Sequence, residues 1–128
     1  MTRTATRGMS ATLKAVVAAV KLVAAEEIMP RYLKVAHQRK SDGSLCTEAD
    51  TAAQTALTKK LQAILNVPVL GEEMPAAEQH AIWQSGNDGL WCIDPIDGTS
   101  NFVRGLPYFA VSVALLRNGK SQLGVVYD

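Results

Sequence analysis

Two aspartates three residues apart, Asp94 and Asp97, lie in the run WCIDPIDGTSNF over residues 91–102, and this is the stretch whose residue types could do chemistry. Trp91, Cys92 and Ile93 predict a short buried strand. Asp94 then stands at a strand's carboxyl end, where open α/β arrangements leave a ligand crevice, and Cys92 is expected to turn away into the core. Pro95 fixes one backbone angle and Gly98 permits angles closed to other residues, so the chain can bend both carboxylates toward one point. Two carboxylates that close repel unless a proton or cation separates them, and oxygen donors without a histidine or sulfur pattern favour Mg²⁺ or Mn²⁺. Gly98, Thr99 and Ser100 then offer backbone N–H groups at a helix start, an anion site facing the metal. The structural alternative for the same residues is a strand, a proline turn and an aspartate capping the next helix.

Other motif classes fail on spacing. Counted from Asp94, an EF-hand needs its closing glutamate where Gly105 stands. Phosphatases that form an aspartyl-phosphate carry their aspartates two apart, which leaves an aspartate nucleophile as a runner-up only. No Gly-rich run ends in lysine followed by serine or threonine, which removes a phosphate-binding P-loop.

The elements around this stretch must position it. Residues 67–70 predict a short buried strand, with Pro68 at its start or on an edge, and deliver Glu72 at its end as Ile93 delivers Asp94. Two strand ends then share one crevice, with Glu73 as a spare acid. Thr47 and Asp50 have capping-box spacing ahead of a helix lined by Ala53, Leu57, Leu61 and Ile64. That cap explains Asp50 without chemistry and leaves a catalytic role open. Ser10 is a candidate N-cap for a first helix with Leu13, Val16, Val17, Val20, Ala24 and Ile28 on one stripe, which Pro30 should kink or end. Residues 1–9 read as a flexible N-terminus, with Met9 a candidate start. Residues 76–83 suggest a short helix bearing a surface His80. Residues 109–116 and 123–127, joined by Asn118 and Gly119, predict an antiparallel hairpin whose last strand is an exposed edge. The expected fold class is α+β, one domain over residues 10–128, with two long N-terminal helices packed on a mainly antiparallel sheet.

At 128 residues and 48% hydrophobic, the chain can bury one real core. Its net charge of +1, with no basic cluster among aromatics, argues against nucleic acid and acidic membranes as partners. Two cysteines, Cys46 and Cys92, without a signal peptide or paired zinc spacing, fit free thiols in a reducing cytoplasm. The apolar stretch 15–25 contains Lys21 and is too short to span a bilayer.

With GEE at 71–73 and TEAD at 47–50, WCIDPIDGTSNF resembles the inositol monophosphatase family of metal-dependent sugar phosphatases, with all motifs in family order from about residue 40 to residue 128. The resemblance implies the N-terminal half of that family's layered sugar-phosphatase fold. It implies Mg²⁺-dependent, lithium-sensitive hydrolysis of inositol monophosphate or a similar small polyol or sugar phosphate, by a cytoplasmic protein that is a dimer at full length. Carried over by position, Glu72, Asp94, the backbone carbonyl of Ile96 and Asp97 match metal ligands. Asp50 and Thr99 match the pair that orients the attacking water, and Gly98 and Thr99 match the phosphate-binding amides. Lys40 resembles a lysine near the phosphate, with a solvated loop lysine as the alternative. Family members also carry a second half whose Trp-Asp motif completes a metal site, whereas this sequence stops at Asp128. The expectation is therefore a fragment with little turnover by itself. KSDGSLCTEAD also resembles relatives that hydrolyse histidinol phosphate or 3'-phosphoadenosine 5'-phosphate, and a non-catalytic regulatory interaction module is a further alternative.

Overall fold

Small and aliphatic residues three and four apart make the first helix one-sided, and Val16, Ala19, Val20 and Val23 are buried along it. The computed structural model, which describes residues 2–38, 44–71 and 74–128, carries this stripe on α1 (Thr2–Val23). The helix therefore starts well before Ser10, where a cap and a loose end before it were expected. Gly8 does not prevent this, since a single helical glycine costs only about 1 kcal/mol. The buried line also differs from the expected one: Leu13 is 39% exposed and Ala19 and Val23 take the inward positions.

Pro30 neither ends the helical run nor simply kinks it. Ala24–Ile28 form a wider π turn, in which the Met29 N–H reaches back to the Ala24 carbonyl, and α2 (Met29–Gln38) follows directly. A proline lacks the N–H for a regular bond and its ring collides with the carbonyl four residues back. A wide turn just upstream is one way to relieve that collision without losing the helix.

In α3 (Ser44–Ile64), Ala49, Ala53, Leu57 and Leu61 recur every fourth position and are fully buried. Burying each leucine is worth about 1.5–3 kcal/mol. Their partners come from one face of a four-stranded sheet: β1 (Val69–Gly71), β2 (Leu90–Asp97), β3 (Ala110–Arg117) and β4 (Lys120–Tyr127), in that spatial order. Trp91, Ile93, Ile96, Val111, Val113 and Leu115 join the helical stripes in a single core. The buried Trp91 indole N–H is satisfied by the Leu65 carbonyl at 3.0 Å. β1 runs parallel to β2, while β2–β3 and β3–β4 are antiparallel, so the sheet is mainly antiparallel and the fold α+β, as expected. Asn118 (φ 51°) and Gly119 (φ 74°) turn the β3–β4 hairpin with the left-handed angles that Asn-Gly supplies. The remaining elements, α4 (Ala76–Ser85) and α5 (Thr99–Val103), flank β1 and follow β2.

Candidate metal and phosphate site

Side chains alternate faces along a strand, so aspartates three residues apart should point to opposite sides of the sheet. A bulge reverses this. Asp94 pairs with Ser112 and Asp97 with Ala110, so two β2 residues, Pro95 and Ile96, stand opposite Val111 alone. Ser112 and Ala110 share a face of β3, and Asp94 and Asp97 therefore share the corresponding face of β2. The core confirms the switch, because Ile93 and Ile96, also three apart, are both buried against the helices. The strand thus runs through Asp94 and Pro95 to Asp97, rather than ending in a turn at Pro95.

The regular pleat before the bulge places Cys92. Trp91 and Ile93 face the core, whereas Cys92 is half-buried on the Asp94 side. The expectation that it turns into the core is overturned by the pleat itself. Cys92, Asp94, Ser112, Ala114, Leu70, Gly71 and Gln79 line a depression of about 310 Å³. Burial there pushes the Cys92 thiol above its ordinary pKa.

Beyond Asp97 the chain needs a residue with φ 101°, and Gly98 supplies it at the start of α5. A Cβ at this position would lie 2.8 Å from the Tyr108 carbonyl and 3.2 Å from the Phe109 Cα, so glycine is demanded by both angle and space. The loop after α5 folds back to create that contact: the Asn101 side chain donates to the Tyr108 carbonyl at 2.8 Å, and Tyr32 donates to the Gly105 carbonyl at 2.9 Å. Tyr32, Phe102 and Phe109 form a cluster, with Tyr32 tilted against both phenylalanines and the two phenylalanines edge to face. The first amides of a helix have no partner within the helix, so the Gly98–Thr99 backbone carries donors of the kind an anion needs. Thr99 is exposed, and its hydroxyl donates to the Ile96 carbonyl at 3.2 Å.

Asp50 is not a cap. Because α3 begins at Ser44, both Thr47 and Asp50 lie inside the helix, and the capping-box reading fails. Asp50 is half-buried and one turn before Gln54, whose side chain lies against Gly71 at the end of β1. Residues four apart share a helix face, so Asp50 is set on the side of α3 that meets this strand end. Glu72 and Lys40 lie outside the described residues. The last described pair of β1 and β2 is Gly71 with Ile93, in parallel, and Asp94 follows Ile93 on β2. Among the described residues alone, no three histidine, cysteine or acidic side chains group closely enough to hold a metal. Asp94 and Asp97, on one face of β2, carry hard oxygens of the kind that suits Mg²⁺ or Mn²⁺. Gln79 and Gln54 border this region and carry no motif; a polar residue in a helix gives no sign from spacing that it touches a strand end.

The sequence profile of the inositol monophosphatase family matches residues 9–128. The 3'(2'),5'-bisphosphate nucleotidase CysQ of Salmonella typhimurium is 42% identical over 93 residues, which are 71% of this chain and 36% of that protein. The Nus factor SuhB of Pasteurella multocida is 38% identical over 90 residues, 70% of this chain and 32% of that one. The crystal structure of inositol monophosphatase II from Staphylococcus aureus superposes with a TM-score of 0.69 at 28% identity, covering 92% of this chain and 42% of that chain. The chain spans about a third of the length of the curated relatives it matches. A profile match across nearly all of the sequence establishes that the chain belongs to the inositol monophosphatase family.

Proposed function

We propose that this segment supplies the first metal-binding and phosphate-binding elements of a Mg²⁺-dependent phosphomonoesterase that hydrolyses inositol monophosphate or a similar small polyol or sugar phosphate. The observation that carries this reading is the β2 bulge, which sets Asp94 and Asp97 on one face beside the strand end that Glu72 follows. Glu72, Asp94, the Ile96 carbonyl and Asp97 would hold the cation. When bound, Mg²⁺ offsets the charge gathering on the phosphoryl oxygens and lowers the pKa of water near it. The backbone N–H groups of Gly98 and Thr99 bind the phosphoryl oxygens, with Lys40 adding a positive charge. Thr99 accepts a hydrogen bond from the attacking water while its own proton sits on the Ile96 carbonyl. To pass a proton toward Asp50, the hydroxyl rotates off that carbonyl, and Asp50 then acts as the general base. Hydrolysis proceeds by water, without a covalent intermediate.

A second reading, hydrolysis of 3'-phosphoadenosine 5'-phosphate, is favoured by the 42% identity to a protein named as a bisphosphate nucleotidase. Lithium inhibition, a cytoplasmic location and a dimer at full length belong to the same proposal. Among the described residues, no helix is long and apolar enough to cross a membrane. Phosphate release by a protein of full family length carrying this segment, with Mg²⁺ and either inositol 1-phosphate or 3'-phosphoadenosine 5'-phosphate, tests the proposal. Release from the inositol ester at the higher kcat/KM is expected. A higher value for the nucleotide would establish the second reading, and no release from either would leave a non-catalytic interaction module.

A further inference from the structure

β4 is the last strand of the sheet, so one line of its backbone N–H and carbonyl groups faces no strand among the described residues. Edges of this kind are ordinarily blunted by a proline, an internal charge or a bulge. β4 has a bulge at its hairpin end: Leu115 pairs with Leu123 and Leu116 with Ser121, which leaves Gln122 as the extra residue. From Leu123 to Tyr127 the strand is regular against β3, and this stretch, LGVVY, holds neither proline nor charge. Leu123 and Val125 are partly buried against the core, whereas Val126 on the other face is 72% exposed. Lys120 before the stretch and Asp128 after it are exposed and of opposite sign.

That charge pattern selects an orientation and a partner. A parallel, in-register copy of β4 would set lysine beside lysine and aspartate beside aspartate, whereas an antiparallel copy brings unlike ends together. Side chains directly opposite in an antiparallel pair share a face, so the two-fold axis relating two copies must stand at a residue and not between two. Val125 is the midpoint of the regular stretch. About it, Leu123 lies against the partner's Tyr127, Val125 against the partner's Val125, and Val126 against the partner's Gly124, which has no side chain to displace. Asp128 stands opposite the partner's Gln122 and diagonal to the partner's Lys120, within reach of a long side chain. The helix above the edge adds to the match. Lys21 Nζ on α1 lies 5.9 Å from the centre of the Tyr127 ring, and Val17 and Leu13 recur at steps of four before Lys21 and so share its line on the helix. Val17 is half-buried and Leu13 is 39% exposed, so the helix line over β4 is apolar as well. We infer that β4 is a homodimerisation edge: two copies of this chain pair antiparallel through Leu123–Tyr127 about a two-fold axis at Val125, doubling the four-stranded sheet. This does not depend on the proposed hydrolysis.

The test uses the 128-residue chain with Cys46→Ser and Cys92→Ala, so that a nitroxide can be placed at Lys120→Cys or, separately, at Gln122→Cys, both exposed positions. Double electron–electron resonance then reads the distance between the two labels of a dimer. At about 3.4 Å per residue, the pairing sets the two 122 positions roughly 20 Å apart along the strand and the two 120 positions roughly 34 Å apart. Short, equal distances at both sites would mean parallel stacking, and distances that do not lengthen from 122 to 120 would put the contact elsewhere. No dipolar coupling up to the highest soluble concentration would mean a monomer. Each of these overturns the inference. The charge pattern is read without labels, by sedimentation at low salt. Lys120→Asp should raise the dimer dissociation constant about 2- to 30-fold, the range for two exposed pairs, and adding Asp128→Lys should restore it. Equal weakening in the single and double variants, or none in either, overturns the pairing. Should a label at Gln122 disturb the bulge and unfold the chain, the charge-exchange pair decides alone.

Discussion

A carboxylate is explained by what surrounds it, and Asp50 and Asp94 sit in different surroundings. With the capping box excluded, Asp50→Asn should cost little stability, since Asp and Asn have similar propensities within a helix. In a protein of full family length, loss of a general base should lower kcat by about 10²–10⁴ with Mg²⁺ affinity unchanged. Asp94→Asn should lower metal affinity and rate together, because a charged ligand becomes neutral. Steady-state kinetics against Mg²⁺ concentration separates the two, and an Asp50→Asn enzyme that keeps most of its kcat at saturating Mg²⁺ would remove Asp50 from the chemistry. Cys92 makes a prediction about pH. Its folded pKa lies above the ordinary value of 9.0 because burial disfavours the thiolate. Below about pH 9 the thiol is neutral in both states and its burial costs nothing extra. Above that, the unfolded chain gives up the proton first, and stability falls as pH rises toward the folded pKa. Urea melts from pH 8 to 10 should show a decline that Cys92→Ala reduces.

At the level of elements, the turn into α5 depends on one residue. Gly98→Ala would force a Cβ against a backbone carbonyl at φ 101°, and a loss of about 1–3 kcal/mol is expected in denaturant melts, with the distal hairpin strands retained. Gly98 was legible in the sequence because a glycine after an aspartate signals an unusual angle whatever the neighbours do. The α3 stripe and the Asn118–Gly119 hairpin were legible because their patterns repeat or sit at fixed offsets. The bulge was not, since two residues standing opposite one is a property of a strand pair and leaves no trace in either strand alone. The same blindness misplaced Cys92: a three-residue apolar run carries no marker of which side faces the helices. The capping box misled for a different reason. Thr47 and Asp50 have the right spacing, yet the helix begins three residues earlier. Pro30 was rightly marked as a disturbance, but the π turn that absorbs it depends on α2 continuing beyond it.

Across the whole molecule, the sheet leaves β4 at its edge, and Val126 on that strand is 72% exposed. Unpaired edge strands carrying apolar side chains recruit further strands. The 128-residue chain should therefore associate with rising concentration in sedimentation experiments, and Val126→Lys, which charges the edge, should shift it toward monomer. A monomer at all concentrations would show that the edge is protected. The proposed divalent site rests on the β2 bulge, at which Asp94 shares a face with Asp97. The measurement that bears on it most directly is Mn²⁺ titration of the 128-residue chain beside its Asp94→Asn variant, with the free ion followed by electron paramagnetic resonance and folding checked by thermal melts. The expected result is saturable binding by the wild-type chain that weakens at least about tenfold in the variant, with the melting temperature nearly unchanged. Equal Mn²⁺ affinity in the two folded proteins would contradict a metal site at Asp94.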